Sequence, residues 1–256
     1  PLADGTYDVV VRATDILGNE GADITTDELT IDSTVPLITV DRLTSRDRTP
    51  ALTGTISVPG LDVTVTVDGM SYLATSNDLG IWTLPNDTVN PLVNGTYDVV
   101  ATANGATDTT IGELTIDTIG PPVYLSGPST DMTREGPVSF NVTYEDAAFV
   151  GLLESDIAVF AITEANPTVL GKAADNTKTF PISTATADGE FEISGSGNTS
   201  RTVTVTNMTG DGYLGIAIIA GSAIDAVGNP SPSAVTNQLV YVDNTAPRVQ
   251  SLGVVE

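Results

Sequence analysis

Apolar and polar residues alternate along this chain with a period of two, in short runs broken by Gly, Pro, Asn and Asp. That period marks half-buried β-strands, whose successive side chains point to opposite faces. Tyr7, Val9, Val11 and Ala13 alternate with Asp8, Val10, Arg12 and Thr14, and Leu29 and Ile31 alternate with Thr30 and Asp32, which predicts one hairpin. Between Pro36 and Asp117 the pattern predicts strands near Leu37–Val40, Ala51–Val58, Val63–Val67, Ser71–Ala74, Ile81–Leu84, Tyr97–Thr102 and Gly112–Ile116. Turn signals such as Pro59-Gly60, Asp68-Gly69 and Asn94-Gly95 lie between them. Between Pro121 and Asp243 it predicts Val138–Tyr144, Ile157–Ile162, Phe180–Ser183, Glu190–Ser194, Thr202–Thr206, Leu214–Ala220 and Gln238–Val242. Only Phe149–Asp156 hints at a helical turn.

One stretch recurs. ELTIDSTVP (Glu28–Pro36) returns as ELTIDTIGP (Glu113–Pro121) and, loosely, as LVYVDNTAP (Leu239–Pro247). At each of these joints a strand ends on an Asp and a Pro restarts an extended segment: Asp32 and Pro36, Asp117 and Pro121, Asp243 and Pro247. The spacings between successive Pro, 121 − 36 = 85 and 247 − 121 = 126 residues, suit domains with their own cores better than short solenoid repeats. Seven short strands per unit indicate an antiparallel sandwich of the immunoglobulin type. The predicted fold is therefore all-β, tandem immunoglobulin-like β-sandwiches in an elongated array. Its expected domains are 1–35, the last hairpin of a truncated sandwich; 36–120, a sandwich; 121–247, a larger sandwich; and 248–256, a first strand of a following one. PLADGTYDVV at the start matches PLVNGTYDVV (Pro91–Val100) in eight of ten positions, so the chain is expected to be a piece of a longer protein.

Composition narrows the chemistry. The absence of Cys and His removes disulfides, thiol nucleophiles, the commonest general base and the usual zinc ligands. A formal charge of −24 opposes contact with nucleic acid or an anionic membrane surface and favours cations. No apolar run approaches the roughly 18 residues of a membrane-spanning helix, so direct membrane insertion is not expected. No P-loop, dinucleotide fingerprint or nucleophile elbow is present, and Glu190 and Glu192, two apart on a strand, read as a solvated acidic face rather than a glycosidase pair.

DGTYDVVVRATDILGN (Asp4–Asn19), ELTIDSTVP, TPALTGTI (Thr49–Ile56) and AIDAVGNPSP (Ala223–Pro232) together resemble the immunoglobulin-like extender repeats of giant bacterial surface and biofilm adhesins. The resemblance implies tandem sandwiches, secretion to the bacterial cell surface, and calcium at or near the joints. Its implied partners are the neighbouring repeats of the same chain, with any host or surface ligand bound through other domains of the parent protein.

In such a sandwich the last Asp of one domain faces two loops of the next. At the second joint this places Asp117 near Glu145 and Asp146 in one loop and Asp225 and Asn229 in the other. Calcium takes 6 to 8 oxygen ligands with loose geometry, so acids drawn from several loops suit it. The DxxGN motif, Asp15 to Asn19 and Asp225 to Asn229, supplies a carboxylate, a Gly for a sharp turn and an amide oxygen; it equally describes an Asx-capped turn that binds nothing. The middle domain has lost the first Asp of that motif in ATANGATD (Ala101–Asp108), so the first joint, with Asp32, Asp62, Asn104 and Asp108, ranks below the second. Asp15 and Asn19 would face a preceding domain and Asp243 a following one. Two carboxylates about 4 Å apart repel by roughly 4 kcal/mol at an effective dielectric of 20, so a bridging divalent ion would stiffen a joint.

Tyr7, Tyr97 and Tyr213 each follow an acid-or-amide–Gly turn and suit a tyrosine corner, in which the hydroxyl ties back to the preceding loop. Trp82 reads as ordinary core, and the N-x-[ST] triplets at Asn86, Asn94, Asn141, Asn198 and Asn207 as chance in a Thr-rich chain. The expected function is a non-enzymatic adhesin stalk segment supporting cell adhesion or biofilm formation. The alternatives are a carbohydrate- or protein-binding module using loops at a domain end or the insert Ala165–Asp188, and a cell-surface lattice or filament subunit joined by strand addition.

Overall fold

The structure is a computed structural model that describes residues 1–163 and 185–248. The predicted strands at Phe180–Ser183 and after Pro247, and most of the insert Ala165–Asp188, lie outside the described residues. The architecture is all-β. A single 3₁₀ turn at Glu154–Asp156, inside the predicted helical turn, is the one helical element among the described residues. By contact the chain divides into two units, Pro1–Leu43 with Arg48–Thr115, and Thr44–Asp47 with Ile116–Glu256.

The first unit is built on a six-stranded sheet in the order Ala106–Thr107, Val99–Ala103, Asp62–Val67, Met70–Ser76, Ile81–Leu84, Leu52–Thr55. A three-stranded sheet follows the order Gly95–Tyr97, Leu114–Ile116, Leu43–Ser45. The alternation that predicted these strands also sets their faces. In Asp62–Val67 the three valines are buried, while Asp62 and Thr64 face water. Each valine buried in this way contributes about 1.5–3 kcal/mol.

Trp82 is fully buried, as expected of core, and its indole N–H donates to the Thr39 carbonyl at 2.9 Å. Gly54 lies opposite it in the ladder, and a Cβ there would sit 2.0 Å from the Thr39 carbonyl oxygen and 2.6 Å from the indole ring. The absence of a side chain at residue 54 is what lets the indole lie flat across the neighbouring strand.

The chain changes sheet inside the predicted strand Tyr97–Thr102. Gly95–Tyr97 belongs to the smaller sheet and Val99–Ala103 to the larger, with Asp98 at the crossing. Alternation continues smoothly through Asp98, so the pattern of side chains gives no sign of the break. Leu37–Val40 departs from expectation in the other direction. It is held by an isolated bridge between Ile38 and Ile56 and by bonds from Thr39 N and Asp41 N to the Thr55 and Thr53 carbonyls, rather than as a strand.

Residues 5–31 form two small sheets instead of the one predicted hairpin: Gly5–Tyr7 pairs with Leu29–Ile31, and Arg12–Thr14 pairs with Glu20–Ala22. Both are antiparallel.

The second unit has a four-stranded sheet in the order Val123–Leu125, Val138–Tyr144, Ser200–Thr209, Asp188–Ser194. A second sheet carries Met132–Thr133, Val240–Val242, Gly212–Ile218 and Ile157–Ile162, with Ala234–Val235 paired to Gly212–Ile218. Alternate residues of both sheets meet in one core: Val138, Phe140, Val142, Val203 and Val205 from the first, and Leu214, Ile216, Ile218, Val240 and Val242 from the second. Short strands such as Val123–Leu125 and Ala223–Ile224 escaped prediction because two or three residues are too few to display a period.

Arginines in both units donate to carbonyls. Arg48 Nε reaches the Leu92 oxygen at 2.6 Å, and Arg201 reaches the oxygens of Gly197, Ser200 and Val150 at 2.8–3.0 Å. Arg134 and Glu135 form an exposed ion pair at 3.3 Å, a kind of contact that contributes at most about 1 kcal/mol.

Two substitutions test the packing around Trp82. Gly54→Ala is expected to destabilise the first unit by about 1–3 kcal/mol through overpacking, and Trp82→Ala by about 3–5 kcal/mol through the cavity it leaves. Chemical denaturation followed by far-UV circular dichroism measures both; a Gly54→Ala protein as stable as the native one would contradict the account of residue 54.

Candidate functional site

The joints are built from carboxylates that accept backbone N–H groups. Asp32 Oδ1 accepts from Thr34 N at 2.9 Å, Asp117 Oδ1 from Ile119 N at 3.0 Å, and Asp243 Oδ1 from Thr245 N at 3.0 Å. All three are Asx turns, in which a short acidic side chain reaches the N–H two residues on and bends the chain toward the next segment. For Asp32 the Thr34 side chain is the first cause, and the Thr34 N–H the second, of a carboxyl held below its ordinary range.

A second acid latches two of these turns. Asp4, in DGTY, accepts from Ser33 N at 3.0 Å and from Ser33 Oγ at 2.6 Å. Asp211, in DGY, accepts from Asn244 N and from Thr245 Oγ1, both at 2.6 Å, and the Asn244 amide donates in turn to the Arg134 and Gly210 carbonyls. Sequence reasoning missed this role. The signal was present, since an acid or amide opens each of the three Gly-Tyr turns, but attention fell on the tyrosine.

The tyrosines divide. Tyr7 Oη donates to the Ala3 carbonyl at 2.7 Å and Tyr97 Oη to the Val93 carbonyl at 2.8 Å, each four residues back, as a tyrosine corner requires. Tyr213 instead packs its ring against Tyr241, with centroids 5.0 Å apart.

The DxxGN motif folds the same way at both of its occurrences. Asp225 Oδ1 accepts from Val227 N and Asn229 N at 2.9 and 2.8 Å, and its Oδ2 accepts from the Asn229 side chain at 2.8 Å. Asp15 repeats these bonds with Leu17 N, Asn19 N and the Asn19 side chain at 2.7–2.8 Å. Burial pushes the Asp225 carboxyl up, but the bonds from Asn229, Val227 and Gly228 outweigh it and hold the group below the usual range. The Asn19 side chain, first among its causes, lowers Asp15 likewise. At both occurrences the motif is closed as an Asx-capped turn.

Asn229 does more than close its own turn. It is buried, and its amide also donates to the Asp117 carbonyl at 2.8 Å, which pins the segment leading into the second unit. Gly120 presses on the same loop; a Cβ there would lie 1.8 Å from the Pro230 carbonyl oxygen. Arg46, which belongs to the second unit, donates to the Gly228 carbonyl at 2.8 Å.

The predicted ligands of the second joint are thus partly assembled. Asp117, Asp146 and Asp225 line one cleft of about 500 Å³ in the second unit, along with Pro121 and Pro122. Glu145 instead accepts from the Tyr124 hydroxyl at 3.5 Å, a long bond. Asp15 with Asn19, Asp32 and Asp243 each sit in their own turns. Of the lower-ranked set, Asp62 and Asn104 line a shallow pocket of about 270 Å³, while Asp108 accepts from Thr110 N and Oγ1. Among the described residues no group of three or more acids is arranged to hold a metal ion.

A further carboxylate clasp sits at the sheet crossing of the first unit. Glu113 Oε2 accepts from Val99 N at 3.1 Å and Asp98 Oδ1 from Gly112 N at 2.7 Å, so the two strands exchange carboxylate–amide bonds across the break. Glu28 with Val9 N, at 2.9 Å, and Asp8 with Asp27 N, at 2.8 Å, form the same clasp in the N-terminal segment.

No protein-family profile matches the chain, and no curated protein matches it. Solved structures do. A tetra-tandem repeat from the extending region of a large adhesion protein aligns over 95% of this chain at 20% identity and a TM-score of 0.33, and the chain spans 58% of its length. A chimeric titin Z1Z2 aligns over 81% of this chain and 96% of its own, at 15% identity and a TM-score of 0.27. The adhesin InvE of Yersinia pseudotuberculosis aligns over 84% of this chain and 64% of its own, at 14% identity and a TM-score of 0.26. Likeness at this level adds nothing to what the strand orders establish.

The charge on Asp225 is open to a pH test. A carboxyl whose pKa is lowered by folding contributes stability that is complete above the unfolded value, about 3.9, and is lost as pH falls through the folded one. Asp225→Asn is expected to cost about 1 kcal/mol at pH 7 and to lose that deficit against the native protein below about pH 4. A deficit that stays constant with pH in thermal melts would show that the charge plays no part.

Proposed function

We propose that the chain is a structural spacer from a secreted bacterial surface adhesin, whose sandwich units hold a binding domain away from the cell in support of adhesion or biofilm formation. The observation that carries this reading is the pinning of both ends of the second unit. Asn229 ties the leading segment at Asp117, and Asp211 ties the trailing one at Asn244 and Thr245. A spacer transmits force between its ends, and bonds of this kind keep the terminal strands from peeling before the core is loaded. The chemistry is in keeping: a chain without His or Cys whose acids accept N–H groups in turns has the parts of a scaffold rather than of an enzyme.

Calcium is the finer part of the proposal. An ionised carboxylate offers about four acceptor sites, and the bonds described fill three on Asp225 and one on Asp117. Acceptor capacity therefore remains in the cleft for a cation added to the turns, with Asp146 as its third acid. The hydrogen bonds already hold the leading segment to the second unit, and calcium would add to that hold.

Force spectroscopy of the full chain tests the spacer. Asn229→Ala, which strips the Asp117 carbonyl and Asp225 of a donor, is expected to lower the force at which the second unit yields and to cost about 1–3 kcal/mol; equal forces would remove the pinning argument. Calcium is expected to raise the melting temperature of the native protein and to leave an Asp117→Ala/Asp146→Ala variant unmoved. Melting that ignores both calcium and chelator would leave the hydrogen bonds as the sole device.

A further inference from the structure

The sequence holds two Asn-Gly pairs, Asn94-Gly95 and Asn104-Gly105. Asparagine followed by glycine carries a chemistry of its own: the backbone nitrogen of the second residue can attack the side-chain carbonyl of the first, and glycine, with no Cβ, leaves that approach open. The two pairs are held differently. Asn94-Gly95 is clamped inside a tyrosine corner, where Tyr97 Oη donates to the Val93 carbonyl at 2.8 Å and a Cβ on Gly95 would meet the Tyr97 ring at 3.9 Å. Asn94 is itself engaged with a partner.

Asn104-Gly105 is loose. It forms the turn between Val99–Ala103 and Ala106–Thr107, an edge strand of two residues. Both residues are exposed, with φ of 43° and 82°, the left-handed pair that Asn-Gly favours in a hairpin turn of this length. Among the described residues neither the Asn104 side chain nor the Gly105 N–H takes part in a hydrogen bond, and a Cβ on Gly105 would meet no atom within 4 Å. Nothing therefore restrains this turn from rotating until nitrogen and carbonyl meet.

We propose that Asn104 is a site of spontaneous covalent modification, deamidation through a cyclic imide, with water as its co-reactant. The Gly105 nitrogen gives up its proton and bonds to Asn104 Cγ; the bond from Cγ to the side-chain nitrogen breaks, and that nitrogen leaves with the proton as ammonia. Water then opens the ring at either carbonyl. One opening leaves aspartate at residue 104, the other isoaspartate, in which the main chain runs through the side-chain carbons. No oxidant or reductant is required.

Both products add a negative charge to the shallow pocket that Asn104 lines with Asp62. They differ in what they do to the hairpin. Asp-Gly suits the same turn as Asn-Gly, so aspartate leaves the ladder intact. Isoaspartate inserts a methylene into the main chain of the turn and breaks the register in which Thr102 faces Thr107 and Ala103 faces Ala106. Ala106, buried in the present fold, then loses its place at the sheet edge. The first unit thus carries a position whose charge and edge pairing change with age, and this is independent of the spacer reading.

Ageing of the full chain tests the proposal. The protein is held in warm, mildly alkaline buffer and mapped by peptide mass spectrometry, with isoaspartate read by an isoaspartyl methyltransferase assay. Conversion at Asn104 is expected to run at least about tenfold faster than at Asn94, whose turn opens less often. Amide exchange at residues 106–108 is expected to quicken in the isoaspartate fraction and to stay slow in an Asn104→Asp protein, the reference for the other product. Asn104→Gly, which keeps the left-handed turn, is expected to abolish the isoaspartate signal of this peptide. Asn94 converting as fast as Asn104 would overturn the proposal. So would a chain whose Asn104 keeps its amide while a free peptide of residues 101–108 loses it, since the hairpin would then protect the turn.

Discussion

A backbone N–H drawn out of a sheet ladder must find another acceptor, and the rest of this structure depends on how that is met. A sandwich forces such losses wherever the chain leaves a strand or passes from one sheet to the other. Here carboxylates answer them. Asp98 and Glu113 serve the sheet crossing, Asp225 the loop that grips the leading segment, and Asp211 the turn that follows Val240–Val242. Ionised acceptors make stronger bonds than neutral ones, and an Asp two residues upstream needs little side-chain entropy to reach its target. A chain rich in acids and poor in bases can therefore be tightly specified with little recourse to ion pairs.

That arrangement also explains what was legible in the sequence and what was not. Strand positions and faces in the long runs, such as Asp62–Val67 and Val138–Tyr144, follow from alternation alone because one face of each is core. The break at Asp98 was hidden, since a carboxylate clasp replaces ladder bonds without disturbing the side-chain period. Of the acids singled out at the second joint, Asp117, Asp146 and Asp225 line one cleft. It could not show that Asp225 had already engaged both of its oxygens, because a motif of carboxylate, glycine and amide reads alike whether its partner is a cation or its own backbone.

The duplicated hairpin separates two contributions that usually arrive together. In one copy the clasp and tyrosine corner come with a covering sheet; in the other they come without one. The tyrosine-corner bond and both halves of the clasp recur in each, so the repetition in sequence is matched by a repetition of hydrogen bonds.

The arginines carry a last consequence. With 33 acidic residues against 9 basic ones, most carboxylates cannot be offset by a basic side chain, and Arg48 and Arg201 direct donors to carbonyl oxygens besides. Dissolved salt then has repulsion to screen and little attraction to weaken. Raising the ionic strength accordingly firms this polypeptide, and dilution loosens it.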